Sequence, residues 1–273
     1  MTMKEKLAGC SSEGSALLAV NFYNFETLKG LLLAAKATNS PLILQLSESS
    51  LQYLGIKPAV AMARSLLTEY GVEGWIHLDH GSSLDIVKKC LDAGFDSIMI
   101  DASEQPIETN VKITQEVVKT AAGYNASVEA ELGYIAKLGQ DQKAEPTSAD
   151  DARRFADATG IDALAIAIGN AHGFYKETPL LRMDRLREIK AVTHCALVLH
   201  GSSGIPNGQL QEAIRSGISK INLATETKNT FMKKLQALLA NNEEIDLRKI
   251  FPKAIREVEQ LITGKLNVIN SNL

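Results

Sequence analysis

The amino-acid sequence predicts an α/β fold, a (β/α)8 TIM barrel with additional C-terminal helices. Three observations point to it. Eight short runs rich in branched apolar residues recur along the chain, helical patterns alternate with them, and the length of 273 residues suits one α/β barrel, which takes about 250. The runs are Leu17 to Asn21, Leu42 to Leu46, Gly74 to Leu78, Ser97 to Ile100, Ser127 to Leu132, Ala163 to Ile168, Ala196 to Leu199 and Lys220 to Leu223. Several are continuously apolar rather than alternating, as expected of parallel strands covered on both faces.

The helices follow in order. From Thr27 to Thr38, Leu28, Leu31, Leu32 and Ala35 fall at i, i+3, i+4 and i+7, which lines one helix face. Similar patterns span Ile56 to Tyr70, Leu84 to Ala93, Ile107 to Ala122, Ser148 to Ala158, Arg182 to Val192 and Gly208 to Ser216. Strand–helix alternation builds parallel βαβ units, and eight strands favour closure into a barrel. A doubly wound open sheet is the alternative. It usually carries a Gly-rich turn after its first strand, whereas Phe22-Tyr23-Asn24-Phe25 follows here. Beyond the eighth run, Phe231, Leu235, Leu238 and Leu239 line one amphipathic helix and Ile255, Val258, Leu261 and Ile262 another, with Asn241-Asn242-Glu243-Glu244 between them. No linker or repeat interrupts the pattern, so we expect a single domain over residues 1–273.

With 45% hydrophobic and 22% charged residues, the chain can bury a large core. Its 29 Lys plus Arg against 32 Asp plus Glu give a net charge of -3. That balance lacks the basic excess of a nucleic-acid binder and leaves a small molecule as the expected partner. The three cysteines, Cys10, Cys90 and Cys195, include no C-x-x-C pair and suit a reducing compartment. Met1 to Ala8 meets polar and charged residues before any signal-like apolar run, and Ala163 to Ile168 falls far short of the roughly 18 residues that span a bilayer. We therefore expect a cytoplasmic protein without a membrane partner.

A barrel assembles its site at the C-terminal ends of its strands. The polar residues closing the runs are Asn21, Ser47, Asp79 with His80, Asp101, Glu131, His172, His200 and Asn222. Of only five histidines, His80, His172 and His200 fall at strand ends, and each is followed by glycine. Three such nitrogen donors, with Glu131 on a fourth strand, read as a metal site. Their number and softness favour zinc over magnesium or calcium. His77 lies inside the third run and His194 just before the seventh, so both read as structural. Asp79 beside His80 is placed to act as a general acid or base, or to orient a ligand histidine, and Asp101 reads as a supporting or distal metal group. Gly169-Asn170-Ala171-His172-Gly173, His200-Gly201-Ser202-Ser203-Gly204 and Ala224-Thr225-Glu226 follow the last three runs. Turns of this type aim backbone N–H groups at an anion, and barrels often hold phosphate there.

At these residues the sequence resembles the class II, zinc-dependent ketose-bisphosphate aldolases, closest to the tagatose- and fructose-bisphosphate branch. The likeness runs from about Ala19 to Arg256 and is carried by His77-Leu78-Asp79-His80-Gly81, Val128-Glu129-Ala130-Glu131-Leu132-Gly133, the Gly169 and His200 turns, and Lys220-Ile221-Asn222-Leu223-Ala224-Thr225-Glu226. The resemblance implies a lyase in which His80, His172 and His200 hold zinc, with Glu131 a ligand when the ion sits deeper. Asp79 would exchange the proton of the substrate C4 hydroxyl, and Asn222 would steady the enediolate. Gly173, Gly201, Ser203, Ala224 and Thr225 would bind the dihydroxyacetone phosphate end, with a monovalent cation such as Na+ or K+ near that site. Asn21 and Ser47 would line the cleft. Arg248 would reach the distal phosphate of a neighbouring subunit, which implies a homodimer or homotetramer.

Two places depart from the family pattern. The loop after Glu131-Leu132-Gly133 is short and lacks paired glycines, leaving Asp141 as the substitute acid, and Ser202 stands where many relatives have glycine or alanine. These bear on substrate choice among fructose or tagatose bisphosphate, a deoxy-keto-gluconate phosphate and a sulfonated ketose phosphate such as 6-deoxy-6-sulfofructose 1-phosphate. A lysine Schiff base would be the metal-free route, but no lysine closes a run: Lys220 begins the eighth and Lys176 lies beyond the sixth. A non-catalytic aldolase-like subunit and a metal-dependent hydrolase are the readings from other classes. The hydrolase would call for a closer ligand pair such as His-x-His, which the sequence lacks.

Overall fold

In a computed structural model, which describes residues 1–133, 135 and 146–271, the eight strands close in sequence order into one parallel barrel. They are β1 (Leu17–Asn21), β2 (Leu42–Ser47), β3 (Gly74–Gly81), β4 (Ser97–Ile100), β5 (Ser127–Leu132), β6 (Ala163–Ile166), β7 (Ala196–Leu199) and β8 (Ile218–Leu223). The helices are α1 (Met3–Glu13), α2 (Phe25–Ala37), α3 (Glu48–Leu54), α4 (Ile56–Tyr70), α5 (Leu84–Asp92), α6 (Ile107–Ala122), α7 (Ala149–Thr159), α8 (Met183–Val192), α9 (Asn207–Arg215), α10 (Thr225–Leu239) and α11 (Leu247–Asn270). β8 pairs back onto β1 through Leu17 to Val20, which closes the ring. The expected barrel with two added C-terminal helices is the observed one.

Strand residues that point outward pack under the helices in one large core, which includes Leu18, Val20, Leu44, Ile76, Ile98, Leu164 and Leu197. Those pointing inward divide into two levels. Toward the strand N-termini, Leu17, Ala19, Ile43, Trp75, Met99, Ala163, Ala165, Ala196 and Val198 form a second apolar cluster with Met3, Leu7 and Cys10 of α1. Helix α1 therefore stoppers that end of the barrel. Toward the C-termini the interior turns polar, with Gln45, His77, Asp79, Glu129, Glu131, His200, Lys220 and Asn222 all buried. A barrel interior is packed rather than hollow, and several of these groups, among them His77, Asp79, Glu129, His200 and Lys220, bond to one another there.

Helix α11 lies against α2 because Gly30 admits it: a Cβ there would stand 2.8 Å from Val258 Cγ1. Two helices and four strand limits differ from expectation, the smallest being β2, which runs one residue further, to Ser47. Helix α1 offers only Met3, Leu7 and Cys10 as buried positions among polar neighbours, and α3 has only seven residues, too few to display a period. β3 continues through Asp79 and His80 to Gly81, and β8 begins two residues early, at Ile218. β6 stops at Ile166, because the Ala167 and Ile168 amides turn to the Thr147 hydroxyl (2.9 Å) and the Asn170 side chain (2.9 Å) instead of a strand.

Candidate active site

The strand ends bring the expected residues to one rim. Asn21 closes β1 and donates from Nδ2 to Asp79 Oδ2 at 2.8 Å. Asn222 on β8 places Nδ2 3.4 Å from Asp79 Oδ1 and 3.0 Å from His200 Nε2. Asp79 is thus held between two amides. His80 follows it with φ at 53°, a left-handed conformation that a non-glycine residue adopts at a cost of order 1–3 kcal/mol and that clusters at functional sites. The β3–β4 register shifts between Leu78 and Gly81, so the strand irregularity and the unusual φ occur together at the histidine.

His80 Nδ1 lies 2.7 Å from Asp101 Oδ2, and Asp101 Oδ1 in turn accepts from the Ser103 amide (3.1 Å) and hydroxyl (2.7 Å). This leaves His80 Nε2 facing His200 Nδ1 at 3.1 Å. The His172 ring stands edge-on to both, with centroids 5.0 Å from His80 and 5.7 Å from His200. One donor atom from each of His80, Glu131, His172 and His200 falls within 4.8 Å of the others. Glu131 accepts from the Ile135 amide through Oε1, while its buried Oε2 has no partner among the described residues. Three converging imidazoles and a carboxylate oxygen left unsatisfied fit a divalent metal ion, since an orphaned buried acceptor is otherwise costly.

Gly173, Gly201, Ser203, Ala224 and Thr225 line a cleft together with Asn21, Asp79, His172, His200 and Asn222. The segments after β6 and β7 touch there: at φ 65°, Gly201 sits so close that a Cβ would collide with the Ala171 carbonyl. Tyr175 ties the two loops, accepting from the Ala171 amide at 2.7 Å and donating to the Gly201 carbonyl at 3.0 Å. Helix α10 starts at Thr225, and its N-terminal dipole favours an anion.

The family model described as Fructose-bisphosphate aldolase class-II matches residues 1–272. The chain belongs to the class-II fructose-bisphosphate aldolase family. It is 39% identical over 279 residues to the fructose-bisphosphate aldolase of Geobacillus stearothermophilus, covering 100% of this chain and 97% of that one. It is 38% identical to that of Staphylococcus epidermidis strain RP62A, covering 97% and 96%. The crystal structure of the YdjI aldolase from Escherichia coli K12 superposes with a TM-score of 0.87 at 28% identity, over 99% of this chain and 97% of that one. The protein is an aldolase, and so a lyase, of a family that generally depends on a metal ion.

Electrostatics in the aldolase site follow its burial. Burial pushes the Asp79 carboxyl up, but the His80 and His200 rings and the Asn21 hydrogen bond outweigh it and hold Asp79 below the usual carboxylate range. Burial opposes a charge on His80, yet Asp79, the Asp101 hydrogen bond and Glu131 raise it to about 9. Burial, then the Asp101 charge, pushes Glu131 up to about 8. A cation among these groups would favour loss of both protons.

Two other expected residues stand apart. Ser47 lies opposite Asp79 in the β2–β3 register, but its hydroxyl accepts from the Ser50 amide and caps α3. Arg248 sits in the first turn of α11 with a side chain 90% exposed, and pairs with Asp246 at 2.9 Å. Asp141 lies outside the described residues. His77 is buried below the rim, and His194 lines a hollow at the opposite end of the barrel, with Lys4 and Asp157.

Sequence reading passed over Glu129 and Lys220. Both are fully interior, with Lys220 Nζ 2.7 Å from Glu129 Oε2 and His200 Nε2 2.8 Å from Glu129 Oε1. The available signal was the two-residue strand period, which puts Glu129 on the face of Glu131 and Lys220 on the face of Asn222.

Proposed function

We propose that this aldolase reversibly cleaves a ketose 1,6-bisphosphate to dihydroxyacetone phosphate and an aldehyde, with zinc held by His80, His172 and His200. The names of its relatives make fructose 1,6-bisphosphate the first substrate, with the tagatose isomer, a deoxy-keto-gluconate phosphate and a sulfonated ketose phosphate as alternatives. The observation that carries this reading is the convergence of three imidazoles and Glu131 beside an Asp79 pinned by two amides.

When bound, zinc acts as a Lewis acid on the substrate C2 carbonyl and eases development of charge at C3 as the C3–C4 bond breaks. The protein side chains do the rest. Asp79, held ionised, accepts the C4 hydroxyl proton in the cleavage direction and returns it in condensation. Asn222 offers its amide N–H to the oxygen that gains charge next to C3, with Asn21 keeping Asp79 aligned. The Gly173, Gly201, Ala224 and Thr225 backbone and the Ser203 hydroxyl bind the phosphate of the three-carbon half, helped by the α10 N-terminus. A Na+ or K+ ion beside that phosphate would offset its charge. Ser47 lines the rim near Asp79, and Glu131 would be a further ligand to the ion.

We further propose that the chain works as a single catalytic domain in the cytoplasm, its three cysteines buried as free thiols, and that it forms a homodimer or homotetramer in which Arg248 reaches a neighbour's distal phosphate. No helix among the described residues is long and apolar enough to cross a membrane.

The test is release of dihydroxyacetone phosphate from a panel of these ketose phosphates, with and without EDTA. We expect EDTA to abolish release, zinc to restore it, and fructose 1,6-bisphosphate to be fastest. His200→Ala should lose zinc and activity together. Absence of release from every substrate despite stoichiometric zinc would overturn the reading and favour a non-catalytic subunit.

A further inference from the structure

Beneath the imidazole cluster runs a chain of buried polar groups that the proposed chemistry does not use. His77 Nδ1 lies 2.8 Å from Ser97 Oγ, and Lys220 Nζ lies 3.4 Å from His77 Nε2 and 2.7 Å from Glu129 Oε2. Glu129 Oε1 is 2.8 Å from His200 Nε2. His77, Lys220 and His200 are 0% exposed and Glu129 1%. All four are therefore shielded from bulk solvent.

The directions of these bonds follow from chemistry. An ammonium group only donates, so Lys220 donates to Glu129 and to His77 Nε2. His77 must then carry its proton on Nδ1 and donate to Ser97. A carboxylate only accepts, so His200 donates its Nε2 proton to Glu129; Asn222 Nδ2, 3.0 Å from the same ring nitrogen, then has no lone pair there to donate to and gives its proton to Asp79 Oδ1, and the His200 Nδ1 lone pair is left to face His80 Nε2 and the rest of the donor set.

We infer that the Lys220–Glu129 pair is a positioning device for the metal site, fixing the His200 ring in the tautomer and orientation that present Nδ1 to the ion. The inference rests on the proposed zinc site. Two features separate it from a merely structural ion pair. First, each oxygen of Glu129 has its own partner, whereas Glu131, two residues along the same strand face, leaves Oε2 without one among the described residues. Lys220 therefore anchors Glu129 below His200 and prevents it from swinging up to become a ligand, while Glu131 stays available. Second, the lysine cancels the carboxylate charge, so His200 gains a strong acceptor without a net charge in the barrel core. Asp101 plays the corresponding part for His80 from a position 26% exposed, where Ser103 supplies its anchor. The two histidines are thus held by carboxylates from different strands.

Outer partners of this kind change metal affinity by roughly 10–100-fold. The test uses the full chain and three variants: Glu129→Gln, Lys220→Met and the double substitution, which removes both charges and keeps a neutral interior. Zinc dissociation constants are measured by competition with a chromophoric chelator. Imidazole 15N chemical shifts of the metal-free proteins report the His200 tautomer, and thermal unfolding reports the fold. We expect the wild type to show a pure Nε2–H tautomer for His200. Glu129→Gln and the double variant should each weaken zinc about 10-fold or more and mix the tautomers, while the double variant unfolds at a higher temperature than either single one. Wild-type zinc affinity and tautomer in the folded double variant would overturn the inference while leaving the zinc site standing. Failure of the wild type to bind zinc, or binding indifferent to His200→Ala, would instead sink the zinc site itself.

Discussion

At Asp79 the chain faces a conflict that its neighbours resolve. Burial favours a neutral carboxyl, which could not accept a proton, but the His80 and His200 rings and the Asn21 amide keep the group ionised. The same contacts fix its direction, because Asn21 holds Oδ2 and Asn222 approaches Oδ1. Removing the carboxylate should therefore remove proton transfer without dismantling the donor set, which Asp79 does not join. For Asp79→Ala we expect zinc content equal to wild type and kcat lower by about 10²–10⁴, measured by metal analysis beside a coupled assay. Full activity in that variant would remove Asp79 from the proton path. His80 is held in a complementary way: it sits at a left-handed φ, and the Asp101 contact at Nδ1 leaves Nε2 for the proposed metal.

Elements differ in how far they depend on the rest of the fold. The strands were legible because their outward residues are buried under helices, which makes the runs continuously apolar, and α2 or α4 because a whole face repeats at the helical period. Helix α1 was not, because its burial comes from the barrel floor rather than from its own pattern. The site divides likewise. Asn21, His80, His200 and Asn222 stand where apolar runs end, so position alone exposed them. Glu129 and Lys220 lie one level deeper, inside runs read as strand, and only closure of the ring brings β5, β7 and β8 residues together. The φ of His80 and the hydroxyl of Ser202, which donates to the Asn222 carbonyl at 2.6 Å, are likewise products of tertiary packing. A test at this scale is Leu7→Ala in α1. Leu7 is 0% exposed, and its loss should cost about 2–5 kcal/mol, which lowers Tm by roughly 5–15 °C in a chain of this size. Because the site is at the other end of the strands, kcat at 25 °C should stay at the wild-type value. A fall in kcat without a fall in Tm would show that α1 is no stopper.

Across the whole molecule, the proposed function uses the rim of Gly173, Gly201, Ser203, Ala224 and Thr225 with the α10 N-terminus for one phosphate, while Arg248, the cation expected at the second, is exposed and paired with Asp246. Ile245 and Leu247 beside it are 92% and 60% exposed, so this corner presents apolar and cationic groups together. On the proposed assembly, a neighbouring subunit would cover the apolar pair and receive Arg248 at the distal end of its substrate. The Asp246 carboxylate, half-buried, now holds the guanidinium through Nε and one terminal nitrogen, but the arginine side chain itself is 90% exposed and can exchange partners. A substrate phosphate, with its greater charge, is the better acceptor. Arg248→Ala should therefore raise KM for a 1,6-bisphosphate by roughly 10-fold or more, leave KM for the matching 1-phosphate unchanged, and preserve kcat at saturation. Mixing it with a Asp79→Ala chain adds a second readout. Each variant then supplies what the other lacks, and heteromers should regain a site with both Asp79 and a neighbour's Arg248. Low KM returning in the mixture would place Arg248 across a subunit boundary. An unchanged KM in Arg248→Ala alone, with an oligomer confirmed by light scattering, would take this residue out of substrate binding altogether.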